Sequence, residues 1–191
     1  MTKNTVKILL NYRNYLKKLF PFIIGYVVNG ELILKVSSKN VKNFIYFLKK
    51  HSLSQYKILS DICAVDYIWK KNRFAVVYNL LSILYNTRVT ITVFIDEKTP
   101  LESISTIHNT ASWFEREVWD LFGIFFTQHS DLRRILTDYG FKGHPLRKDF
   151  PLTGFIEVRY FNNEKRILAE EVSLAQDYRA FYFNNNWNKT V

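Results

Sequence analysis

The sequence predicts an α+β fold: a two-layer domain with a mixed, mostly antiparallel sheet of about five strands, helices largely on one face, and an extended C-terminal arm. Three observations carry this. The apolar residues switch in period, in the order α, β, β, α, then three β, then α. One predicted strand alternates cleanly, with Val89, Ile91, Val93 and Ile95 on one side and Arg88, Thr90 and Thr92 on the other, so one sheet face meets a core. A length of 191 residues with 48% hydrophobic content suits one globular domain with a substantial core and room for an arm.

In the first helix, Val6, Leu9, Leu10, Leu16, Leu19 and Phe20 recur at helical intervals until Pro21. The segment is also basic and poor in acids, as a mitochondrial targeting segment would be, and a helix of the mature fold is the preferred reading. Strands follow at Phe22 to Val28 and Leu32 to Val36, joined by Asn29-Gly30, the dipeptide best suited to a tight hairpin. Ser37 or Ser38 is expected to cap a second helix, whose Val41, Phe44, Ile45 and Leu48 form one stripe. Three more strands are expected at about Lys57 to Ile68, Arg73 to Ile83 and Arg88 to Ile95. Thr99, Pro100 and Glu102 then read as a capping box opening a short helix to about Ile107.

A second capping box, Ser112 with Glu115, opens the central helix, and Gly123 closes it. Phe114, Val118, Leu121 and Phe122 share its apolar stripe. Arg116 and Asp120 fall on the opposite face at i,i+4. Glu115 and Glu117 sit at the stripe's edges beside Trp113 and Trp119, where a carboxylate needs a cation. Arg133, Arg134, Arg147 and Lys148 are the candidates. Glu115 and Glu117 as an acid and base pair is the competing reading, without a pocket or nucleophile to make a hydrolase. His129 and His144, with Asp131 and Asp149, invite a metal site, but no two have helical or hairpin ligand spacing.

From Phe125 the pattern loses both periods, which sets the domain at 1–124 and an irregular segment plus arm at 125–191. Residues 155 to 161 and 165 to 172 read as a hairpin. Tyr160, Phe161, Tyr178, Phe181, Tyr182, Phe183 and Trp187 are too many aromatics for a solvated tail, so the arm is expected to lie on a partner.

Composition narrows the function. Cys63 is the only cysteine, which leaves no internal disulfide and no iron-sulfur cluster held by this chain's own thiolates. The longest apolar runs fall short of the roughly 18 residues needed to cross a bilayer. The net charge of +10 lies wholly in residues 1–57, which hold 11 Lys or Arg and only Glu31 as an acid. That surface suits solvent, an acidic neighbour, acidic lipid or nucleic acid, and a basic RNA-binding organellar ribosomal protein is the alternative function.

The run EREVWDLFGIFFTQHSDLRRIL at residues 115 to 136 resembles the signature of the 30-kilodalton subunit family of respiratory complex I, the proton-pumping NADH:quinone oxidoreductase. The match goes through Glu115, Arg116, Glu117, Asp120, His129 and Arg133, then an apolar pair at Ile135 and Leu136. It continues through LTDYGFKGHPLRKDFPLTG, with Asp138, His144, Arg147, Lys148 and Asp149, and more weakly through EVRY. Two positions depart from the pattern: Phe161 stands where an acid is usual, and Glu170-Glu171 where Glu-Pro is.

The resemblance implies a structural subunit of the quinone-reducing peripheral-arm module, set chiefly against the large hydrogenase-related subunit, with no catalytic residue, metal or cofactor of its own. The complex uses FMN, iron-sulfur clusters, NADH and ubiquinone. The expected location is peripheral on the matrix side of the mitochondrial inner membrane, or on the cytoplasmic face of a bacterial plasma membrane. Phe and Tyr richness fits AT-rich codons, in an organelle or a bacterium.

Overall fold

The computed structural model describes residues 3–179 and 181. Two compact units divide the chain, one running through Phe150 and one from Pro151. In the first, α1 (Lys3–Leu19) leads into β1 (Ile24–Val28) and β2 (Glu31–Val36). Asn29 and Gly30 both take positive φ, 49° and 81°, as a two-residue hairpin turn requires.

A 3-10 turn at Ser38–Asn40 then opens α2 (Val41–Lys50). Neither Ser37 nor Asn40 caps through its side chain; the Asn40 amide bonds back to the Ser37 carbonyl at 3.1 Å. The expected serine cap is thus replaced by backbone. The stripe itself is as expected, with Val41, Phe44, Ile45 and Leu48 all buried.

Next come β3 (Ile58–Asp66), β4 (Phe74–Ser82) and β5 (Thr87–Ile95). The sheet order is β1-β2-β5-β4-β3, antiparallel except for β2 with β5, where Leu32 pairs with Val89. In β3 the register shifts between Leu59 and Asp61. This bulge changes the phase of the alternation, so that Leu59 and then Ile62 are both buried. The inward residues of the strands share one core with Leu9 and Leu16 of α1, with the α2 stripe, and with Ala111, Val118 and Phe122 of α3 (Ala111–Phe122).

The short helix expected after Thr99 is absent. Leu101–Glu102 forms a two-residue strand, β6, parallel to β7 (Phe126–Thr127). Leu101 and Phe126 are both buried, and this long-range pairing overrides the local capping signal of Thr99, Pro100 and Glu102. The pair brackets α3 and fixes where the helix begins and ends.

The second unit contains a hairpin of β8 (Ile156–Phe161) and β9 (Arg166–Glu171), as the sequence predicts. Arg159 grips Glu170 with two bonds of 2.7 and 2.9 Å. Tyr160, Tyr178 and Phe181 are exposed. Tyr182, Phe183 and Trp187 lie outside the described residues.

Candidate functional site

The site is built around α3. Its first residue follows Thr110, and no side chain caps it. The expected box of Ser112 and Glu115 does not form, because the Glu115 carboxylate turns inward. There it accepts the Ile104 amide at 2.7 Å and the Ser103 hydroxyl at 2.6 Å. The Glu115 side chain is wholly buried, and the base that faces it is His129, 3.8 Å away. Burial pushes this carboxyl up to about 7, against the pull of Ser103, Ile104 and Lys42. The Tyr78 hydroxyl, also buried and driven up by burial and by Glu115, has no hydrogen-bond partner among the described residues.

One turn further on, Asp120 is equally buried and meets the opposite fate. Its Oδ2 accepts the consecutive amides of Ile135, Leu136 and Thr137 at 3.2, 2.9 and 3.0 Å. Its Oδ1 accepts the Thr137 hydroxyl at 2.7 Å and Arg134 at 3.1 Å. Burial pushes the carboxyl up, but the Thr137 hydroxyl and the three amides outweigh it and hold it below the usual range.

The expectation that Arg116 and Asp120 face solvent is therefore overturned. Both are buried, because the chain after Thr127 folds back over that face of the helix. Arg116 donates to the Arg133 carbonyl at 3.1 Å and lies over the Trp113 ring.

The C-terminus of α3 is closed in the same way. Gly123 takes φ 77°, and a Cβ there would come within 2.6 Å of the His144 ring and 2.5 Å of Arg147. His144 Nδ1 bonds to the Asp120 carbonyl at 2.9 Å, the Leu146 amide to that of Leu121 at 3.1 Å, and Arg147 Nε to that of Phe122 at 2.6 Å. These are the carbonyls a helix end leaves without intrahelical partners, and two of the groups meeting them are basic side chains. Burial lowers the basicity of His144, which suits a neutral ring donating from Nδ1.

A second cluster fastens the end of the segment to the sheet. Asp66, buried at the end of β3, takes two bonds from Arg73, at 2.7 and 2.8 Å, and one from the Lys148 amide at 2.8 Å. Arg73 also holds Asp149 at 2.8 Å, and Arg147 holds Glu97. The Arg73 guanidinium keeps Asp66 and Asp149 below the usual carboxylate range.

The cations expected to pair with Glu115 and Glu117 are thus engaged elsewhere. Arg134 serves Asp120, Arg147 serves Phe122 and Glu97, and the exposed Arg133 side chain meets Asp131. Lys148 contributes its amide. Glu117 is half-buried and makes no ion pair among the described residues. His129 bonds to the Ser112 carbonyl and accepts the Asp131 amide, while His144 sits at the other end of α3, so the two are not brought together. Asp138 turns onto the Tyr139 amide at 2.7 Å. Asp66, Arg73, Glu97 and Ser103 escaped the sequence reading. Asp66 carried a signal, a lone acid closing an apolar strand.

These interactions make 129–150 part of the first unit, which extends past the boundary of 124 expected from periodicity. The whole construction lies within residues 34–156, which match the family described as respiratory-chain NADH dehydrogenase, 30 Kd subunit. The chain belongs to this family. It is 52% identical over 174 residues to NADH-ubiquinone oxidoreductase subunit 9 of Reclinomonas americana, covering 90% of this chain and 85% of that protein. To the protein of the same name in Prototheca wickerhamii it is 49% identical over 181 residues, covering 94% of each. A bacterial relative, from the NADH-quinone oxidoreductase of Paramagnetospirillum magneticum, is 48% identical over 167 residues, covering 86% of this chain and 84% of the other.

The fold is shared with a chain in the structure of the membrane-bound sulfane sulfur reductase, an archaeal respiratory membrane complex, at a TM-score of 0.65 and 24% identity. That likeness covers 74% of this chain and 85% of the other. As a member of the 30 kDa family this chain is a subunit of NADH:quinone oxidoreductase. No helix among its described residues is long and apolar enough to cross a membrane.

Proposed function

We propose that this chain is a core structural subunit of the quinone-reducing module in the peripheral arm of NADH:ubiquinone oxidoreductase, without a redox centre or catalytic residue of its own. Its part is to hold neighbouring subunits, and with them the FMN, iron-sulfur centres and quinone cavity of the complex, at fixed separations. Its chief neighbour is the large hydrogenase-related subunit, and it sits peripherally on the matrix side of the mitochondrial inner membrane or the cytoplasmic face of a bacterial one. The observation that supports a structural role is how the signature residues are used. Asp120, Arg116, His144 and Arg147 all bond to backbone of the same unit, so the most specific part of the sequence maintains a shape.

The unit from Pro151, with exposed Tyr160, Tyr178 and Phe181, is the arm in this reading, and its order is completed on a partner. One experiment tests both parts. Tagged full-length chain and a chain ending at Thr153 are isolated from solubilised membranes, and the accompanying proteins are identified. The full chain should bring the NADH dehydrogenase subunits. The shortened one should fold cooperatively yet fail to enter the complex. Ribosomes with the full chain would support the RNA-binding alternative, and a fully assembled enzyme with the shortened one would make the arm dispensable.

A further inference from the structure

We propose that Tyr139 is an aromatic anchor that seats in an apolar slot on another subunit of the NADH dehydrogenase, presented by a turn held ready by the buried charges under it. The proposal rests on the subunit reading above. Tyr139 is 102% exposed, the most exposed large side chain among the described residues. Its backbone is anything but loose. The Tyr139 amide donates to Asp138 Oδ1 at 2.7 Å, and the Phe141 amide closes the turn onto the Asp138 carbonyl at 3.1 Å. Gly140 takes φ 75° at the tip, with open space where a side chain would be.

Both legs of the turn are tied to one arginine. Arg134, itself on Asp120, donates to the Thr137 hydroxyl at 3.2 Å on one side and to the Gly143 carbonyl at 2.9 Å on the other. Asp120 takes the three amides that lead into the turn, and Phe141 packs on Phe150 at 5.9 Å between ring centres. A turn fixed in this way loses little further entropy on docking, which is how preorganisation becomes affinity. Tyrosine suits the tip because it offers a large rigid apolar face and a polar end, and it is enriched among residues that dominate interfaces.

Charge identifies the kind of partner. The exposed ionisable side chains around the turn, Asp131, Arg133, Asp138 and Lys142, sum to zero, and Arg134 is turned inward. A phosphate-rich or anionic lipid surface calls for a net positive footprint. An aromatic ringed by balanced charges, with Leu136 and Leu146 exposed in the same segment, matches the apolar centre and polar rim of a protein interface. The complementary slot has apolar walls and one hydrogen-bonding group at its end for the phenol.

The test uses the tagged full-length chain in cells lacking their own copy, with Tyr139→Ala, Tyr139→Phe and, as an exposed aromatic elsewhere, Trp69→Ala. The readout is the amount of identified NADH dehydrogenase subunits co-isolated per tagged chain. Tyr139→Ala should lower it by about tenfold or more, Tyr139→Phe by less than about threefold, and Trp69→Ala not at all. The thermal midpoint of purified Tyr139→Ala should lie within about 1 °C of the parent, as fits a fully exposed site.

Equal co-isolation by the parent and Tyr139→Ala would overturn the anchor and leave the subunit reading intact. A parent chain that brings no such subunits would overturn both. A Tyr139→Ala chain that unfolds, or one whose sole defect is loss of self-association in sedimentation, would overturn the proposal in favour of a core role or a second copy of this chain.

Discussion

Glu115 and Asp120 lie five residues apart on one helix, are both fully buried, and titrate in opposite directions. The difference is in the donors. Asp120 has five, three of them consecutive amides pointing at one oxygen. Glu115 has two, and its nearest base is 3.8 Å off. Burial alone raises both carboxyls, so the hydrogen bonds supplied by the chain after residue 129 decide which one stays ionised. The same count separates a fastening from a tolerated polar group. Asp120 holds 135–137 in place, whereas Glu115 fills a small polar gap beside Tyr78.

Three measurements bear on this contrast. The largest effect belongs to Asp120→Asn, which puts an amide where five donors converge. Removing one partner of such a buried charged group should cost roughly 3 to 5 kcal/mol, and hydrogen exchange at the amides of 135–137 should accelerate with it. Unchanged protection at those amides would mean that packing, not the carboxylate, holds the segment.

Glu115→Gln comes next, with the opposite sign at high pH. Because the folded value is raised from 4.5 to about 7, the contribution of Glu115 is whole below about pH 4.5 and is lost as pH climbs through about 7. At 1.36 kcal/mol per unit the loss approaches roughly 3 kcal/mol at alkaline pH. Denaturant unfolding should therefore show Glu115→Gln close to the parent near pH 5 and more stable than it near pH 8. A parallel pH profile for the two proteins would show Glu115 to be as well compensated as Asp120. Asp120 is depressed, so its own contribution is present above the ordinary carboxylate range and is lost as pH falls through the lower folded value.

The smallest effect is expected for Glu117→Gln. Glu117 has neither burial nor an ionic partner comparable to the other two, and its candidate partner, Arg133, is used by Asp131 at the surface. A change within about 0.5 kcal/mol should appear in thermal unfolding. A larger one would restore the charge pairing that the residue spacing suggests.

Which features were legible in the sequence follows from how local their causes are. The hairpin at Asn29-Gly30, the α2 stripe, the alternation of β5 and the Gly123 cap each depend on residues a few positions apart, and each is found in place. The failures share one cause. Thr99 to Glu102 and Ser112 to Glu115 have the letters of capping boxes, but Leu101 is claimed by Phe126 and Glu115 by Ser103, partners more than ten residues away. Arg116 and Asp120 have the spacing of a solvated ion pair, and nothing within one helix reveals that the chain returns to cover them. Of the site, the residues were legible and the pairings were not, since 129–150 has no period to say which side chain faces which.

The parallel pairing of β2 with β5 carries a consequence for the order of biosynthesis. Leu32 waits for Val89, so during translation the β1–β2 hairpin emerges with one edge unsatisfied until roughly sixty further residues have been made. That interval coincides with the strongly basic stretch, in which Glu31 is the sole acid among residues 1–57. Like charges repel, and lysine on or near an open strand discourages pairing with other chains. The cationic bias of the first third thus has a use before the protein is finished, keeping a nascent half-sheet apart from its neighbours on adjacent ribosomes until its proper fifth strand arrives.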